Sequence, residues 1–114
     1  MKLGFDISSI KGFDWDSGNS NKNKIRHNVQ NKECEEIFTN QPIRIFDDEV
    51  HSKNEKRYGA LGKTNENRKL VIFFTVRNNK IRVISARSQG KKDKTLYGEI
   101  EKQFKAGVEV KENK

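Results

Sequence analysis

Cysteine, proline and long apolar runs are all scarce in this chain, and each shortage excludes something. Cys34 is the only cysteine, so no intrachain disulfide can form, and a reducing compartment fits. Near Ile37 and Phe38 it is expected to be a small buried apolar group rather than a nucleophile. His27 and His51 lie far apart in the sequence, and the single cysteine has no second ligand nearby. No metal site is expected. Neither a phosphate loop nor a glycine fingerprint nor a nucleophile elbow is present, and no cofactor is expected. The longest apolar run, residues 70–74, has the length of a strand, far short of the roughly 20 residues of a membrane span. Residues 1–12 lack the apolar stretch of a secretory signal. The expectation is a cytoplasmic protein with no membrane partner.

Apolar residues make up only 32% of the 114 positions, enough for one sheet with a layer of helices but not for two packed domains. Charge is abundant and unevenly placed. The net charge is +8, and residues 63–94 hold ten lysines and arginines against Glu66 and Asp93 alone. The other 82 residues carry 14 of each sign and balance to zero. Such a stretch reads as a footprint for a polyanion, although a basic surface also serves solubility or attracts acidic proteins.

Periodicity suggests the elements. Phe13 and Trp15 alternate with acids, as in a short strand, and Trp15 is expected in the core. Residues 17–21 have a turn-and-cap composition that can start a helix running to about His27. Asn31 is placed to cap a second helix, in which Cys34, Ile37 and Phe38 form one apolar stripe before Asn40 and Pro42 end it. A strand follows around Ile43 and Ile45, then a charged loop over 47–54. Three strands are expected over 57–62, 69–77 and 80–87, the middle one central and rich in β-branched and aromatic residues. Asn78-Asn79 suits a tight hairpin, because Asn tolerates positive φ. From Lys91 the period becomes helical, with Leu96, Tyr97, Ile100 and Phe104 as the stripe. The fold class is therefore α+β: two N-terminal helices and a C-terminal helix on one face of an antiparallel sheet of about four strands, leaving the other face for polar residues. Residues 1–12 are an arm or extra strand, 13–107 the domain and 108–114 a charged tail.

Polar side chains on neighbouring strands remain as carriers of chemistry. Cutting RNA without a metal takes a base for the 2′-hydroxyl, an acid for the leaving oxygen and cations for the phosphorane. His27 suits either proton transfer, since an unperturbed imidazole titrates near neutrality. Glu55 is a candidate base, or else half of a surface ion pair with Arg57. Arg57, Arg82 and Arg87 can grip phosphate in bidentate fashion, and Tyr58 or Tyr97 can stack on a base or donate a hydrogen bond. Arg82 and Arg87 differ by an odd number, so a regular strand would point them to opposite faces unless a bulge intervenes.

Three blocks carry a resemblance. Phe13-x-Trp15-Asp16 with Asn23, Arg26-His27, Val29, Glu33 and Phe38 resembles the opening of the BrnT family of toxins. Glu55-x-Arg57-Tyr58-x-x-x-Gly62 resembles the family's next strand, and residues 81–87, ending Ser85-Ala86-Arg87 and followed by Tyr97, resemble a third block. Asn28 stands at a usual glycine, Arg26 at a usual lysine and Ser17 at a usual proline. The resemblance implies a RelE-like fold and a metal-independent endoribonuclease toxin of a type II toxin–antitoxin system that inhibits translation. It implies neutralisation by a BrnA-like antitoxin, a DNA-binding ribbon–helix–helix protein through which alone the pair would meet operator DNA. Read onto this chain, His27, Glu55, Arg57 and Arg87 become the catalytic candidates. Arg26, Tyr58, Arg82, Ser85, Lys91, Lys92 and Tyr97 become the RNA-binding ones. The alternative is a degenerate, non-catalytic module that binds RNA or the antitoxin.

Overall fold

The computed structural model describes residues 7–20 and 27–107. A 3-10 turn at Ile7–Ser9 leads into β1 (Gly12–Phe13), followed by α1 (Asn31–Glu36), β2 (Arg44–Asp47) and a second 3-10 turn at Glu49–His51. Then come β3 (Tyr58–Lys63), β4 (Lys69–Arg77), β5 (Lys80–Ser88) and α2 (Lys91–Lys105). The architecture is α+β, as the periodicity predicts. Among the described residues the sheet is larger and less uniform than expected: five strands in the order β1-β5-β4-β3-β2, with β1 parallel to β5 and the other pairs antiparallel. The strand expected at Phe13 to Trp15 shifts one residue earlier and pairs only Gly12 with Lys80 and Phe13 with Ile81. A bond from the Asp14 amide to the Ile81 carbonyl (2.8 Å) extends it. The expected first helix falls largely outside the described residues, as do Arg26, residues 1–6 and the tail 108–114; His27 itself has helical backbone.

Local chemistry explains the connections. Asn78 and Asn79 have φ of 52° and 62°, the paired left-handed conformation that a two-residue hairpin turn of matching twist requires. In the β3–β4 loop Asn67 takes φ 66°, and Asn28 after His27 takes φ 56°, so asparagine serves there as the next best residue after glycine. Helix α1 is shorter than its stripe suggests, and its cap lies one residue earlier than expected. Gln30 is the N-cap, its amide donating to the Glu33 carboxylate at 3.0 Å, while Asn31 donates instead to Ser20 Oγ.

Both faces of the sheet are covered, contrary to the one-sided expectation. One face holds the main core, where Ile45, Tyr58, Ala60, Leu70, Ile72, Phe74, Ile81, Val83 and Ala86 meet Val29, Cys34 and Ile37 from the α1 side. Phe13, Phe38, Phe74 and Tyr58 form a chain of ring contacts 5.3–5.6 Å apart through it. Trp15 packs on its edge with its indole N–H on Glu35 at 2.8 Å. Burial pushes the Cys34 thiol up to about 12, as suits an inert core residue. On the opposite face Tyr97 of α2 packs on Leu61 and Val71, with Phe46 and Phe73 beside them. Only Tyr97 and Ile100 of the expected α2 stripe are buried; Leu96 and Phe104 stay 46% and 45% exposed. The helix therefore covers one end of that face and leaves the other end polar.

Candidate functional site

The polar end of the second face is made by a bulge. Phe74 pairs with Val83 but Phe73 pairs with Ser85, so Ile84 is an extra residue in β5. An inserted residue resets the alternation of everything beyond it. Arg82, Ser85 and Arg87, opposite Thr75, Phe73 and Val71 respectively, consequently share one face. The odd spacing of the two arginines, which in a regular strand would separate them, is what a strand with one bulge needs to align them.

Aligned is not adjacent. From Arg82 to Arg87 the strand advances roughly 13 Å, and the two guanidinium groups sit in different clusters. Arg82 bonds both carboxylate oxygens of Asp16 (2.9 and 3.0 Å) and lies 3.6 Å from Asp14. Arg77, on the same face, clamps Glu55 through Nε and Nη2 at 2.7 and 2.9 Å. Arg87 lies at the α2 end and bonds Asp93 at 3.1 Å. Asp16 is placed by Asn19, whose buried amide donates to the Asp14 and Val83 carbonyls and accepts from the Asp16 amide. The Arg82 guanidinium and the Gly18 amide hold the Asp16 carboxyl below the usual carboxylate range. Arg77 does the same to Glu55.

The remaining sequence candidates spread over both ends. Glu55 and Arg57 line a cleft of about 520 Å3 with Val50, His51, Lys53 and Asn54, a volume in the range of small-molecule sites. His27 is exposed at the far end, where its carbonyl accepts from Arg68 at 3.3 Å and Arg68 also reaches Ser88. Lys91 and Lys92 are exposed at the start of α2. Tyr58 and Tyr97, expected to stack on a base, are core residues at 3% and 0% exposure. Tyr97 donates its hydroxyl to the Pro42 carbonyl, and burial pushes its pKa up to about 12. The structure thus brings Glu55 and Arg57 together, and separates them from His27 and Arg87.

A second cleft, of about 310 Å3, lies between α1 and the β3–β4 loop. Glu33, Glu36 and Glu66 outnumber Lys32 and Arg68 there, so it repels a phosphate. The cleft at Glu55 has the opposite balance, Lys53 and Arg57 against one carboxylate.

The family of the chain is shown by comparison with known proteins. Residues 15–93 match the family model described as "Ribonuclease toxin, BrnT, of type II toxin-antitoxin system", more than half of the 114 residues. The chain belongs to the BrnT family. No curated protein matches it. The matched region takes in every strand from β2 to β5 and the first turn of α2, so the cleft at Glu55, the bulge and Arg87 all lie inside the BrnT portion. Two residues here lie outside the candidates read from the sequence. Arg77 was absent from the candidates although it holds Glu55, and its place opposite Lys80 beside a hairpin was the available signal. His51, in the charged loop over 47–54, has its ring nitrogen 3.0 Å from Asp48, a contact that the spacing Asp48-x-x-His51 permits.

Proposed function

We propose that this chain is a metal-independent endoribonuclease toxin that cleaves RNA by attack of the 2′-hydroxyl, arrests translation, and is neutralised by a BrnA-like DNA-binding antitoxin. The ribonuclease-toxin family match over residues 15–93 carries the reading. The β5 bulge supports it by putting Arg82, Ser85 and Arg87 on one face of the sheet, in line from the Arg77–Glu55 pair toward the α2 end. Cleavage needs cations around the phosphorane and a proton-transfer group, and protein side chains of these types supply both.

The scissile phosphate is assigned to the cleft, where Arg57 contacts its oxygens and Glu55 keeps Arg77 in place beside it. The flanking strand runs toward the α2 end, gripped by Arg82, Ser85, Arg87, Lys91, Lys92 and the exposed His27. Purified protein should cut single-stranded RNA in the presence of a chelator and release fragments ending in a 2′,3′-cyclic phosphate. Expression should halt protein synthesis, and co-expression of the antitoxin should restore it. Intact RNA and normal growth would refute the enzyme and leave a non-catalytic RNA- or antitoxin-binding module.

A further inference from the structure

We propose that His51, oriented by Asp48, is the proton-transfer group of the cleft at Glu55, taking the proton of the attacking 2′-hydroxyl through Nε2; this rests on the ribonuclease reading above. His51 Nδ1 lies 3.1 and 3.0 Å from the two carboxylate oxygens of Asp48. A carboxylate can only accept, so Nδ1 carries the hydrogen and donates it, and the neutral ring keeps its lone pair on Nε2. Asp48 is well covered, its side chain 12% exposed, whereas the His51 side chain is 63% exposed and lines the cleft with Lys53, Glu55 and Arg57. An orienting carboxylate shielded from solvent and an imidazole open to it is the arrangement that fixes a tautomer and stabilises the imidazolium formed on proton uptake.

The loop carrying the pair is closed on itself. The Asp48 amide donates to the Arg57 carbonyl at 3.0 Å, and the Arg57 amide donates to Ser52 Oγ at 2.9 Å. Ser52 Oγ in turn donates to the Asp48 carbonyl at 2.7 Å. His51 and Arg57 are thereby held in fixed relation although six positions apart. The other candidates are less suited. Glu55 has both oxygens committed to Arg77, which lowers its basicity. His27 lies at the opposite end of the sheet, beside Arg68 and Ser88.

In the reaction, Nε2 of neutral His51 removes the 2′-hydroxyl proton as the 2′-oxygen bonds to phosphorus. The bond from phosphorus to the 5′-oxygen breaks, and that oxygen takes a proton from water. The products are a 2′,3′-cyclic phosphate and a 5′-hydroxyl, and the imidazolium returns its proton to solvent. Arg57 stabilises the charge on the nonbridging oxygens.

The test is steady-state cleavage of a single-stranded RNA by the full chain, its His51→Ala and His51→Gln variants, and Asp48→Asn. The expected result is a fall in kcat of about 10²–10⁴-fold for both His51 variants, with KM within about threefold of wild type. Asp48→Asn should lose about tenfold or more in kcat through misorientation of the ring, and RNA carrying a 2′-O-methyl group at the cut site should stay intact. If wild type cuts and both His51 variants cut within about threefold of it, the inference is overturned while the ribonuclease reading stands. If wild type cuts the 2′-O-methyl RNA, base catalysis at the 2′-hydroxyl is overturned. If wild type cuts no RNA at all, the reading beneath it falls as well.

Discussion

Glu55 and Tyr97 show how one contact decides what a side chain can do. With Arg77 bonded to both oxygens, the Glu55 carboxyl is lowered below its usual range. A carboxyl with a depressed folded pKa contributes stability that is present above its unfolded value, about 4.3, and is lost as pH falls through the folded one. Melting temperatures of wild type and Glu55→Gln should differ most near neutral pH and converge as acid protonates the folded carboxyl; the exposed position keeps the gap small. Tyr97 is the reverse case: the tyrosine was legible both in a motif and in the apolar stripe of its helix, but its hydroxyl partner was not. Its hydroxyl bonds the buried Pro42 carbonyl at 2.6 Å, so Tyr97→Phe leaves that acceptor unpaired and should cost about 1–2 kcal/mol in a denaturant titration. No spacing rule could have announced this, since the partner lies 55 positions away.

At the level of elements, helix α1 and strand β3 meet at a residue whose role the sequence only hinted at. A Cβ built on Gly62 would lie 2.9 Å from the Ile37 Cβ and 3.3 Å from the Ile37 carbonyl oxygen. Backbone on one side cannot yield as a flexible side chain can. Gly62→Ala should therefore cost about 1–3 kcal/mol by overpacking, read as a lowered denaturant midpoint at unchanged slope. Gly59 has the same character, with the Phe46 ring lying directly over it from the neighbouring strand. The long strands and the β4–β5 hairpin were legible because runs of β-branched and aromatic residues and Asn-Asn turn chemistry are local signals. The parallel β1–β5 pairing, the bulge at Ile84 and the side of the sheet that α2 covers were not. Each depends on contacts between segments far apart in the chain, and periodicity does not record them.

For the whole molecule, the linear charge map and the folded one differ. Arg68, Lys69, Arg77, Arg82 and Arg87, half of the ten basic residues in 63–94, are matched by carboxylates from elsewhere in the sequence or from Asp93. Lys91 and Lys92 remain exposed at the head of α2, and the proposed function has them meet phosphates. If each neutralises one phosphate of a single strand, each Lys→Gln change should reduce the slope of log affinity against log salt by roughly 0.7. Filter binding with a cleavage-resistant 2′-O-methyl RNA across a salt series measures this, and an unchanged slope would remove both lysines from the interface. The short strand β1 has a consequence of a different kind. Gly12 pairs with Lys80 across most of the domain's length, through two residue pairs only. With so long a loop closed by so short a ladder, this pairing is expected to open more readily than the long antiparallel ones. Asp14 and Asp16 travel with it, so each opening would uncover the Arg82 guanidinium, and exchange of the Asp14 amide would time how often that charge is set free.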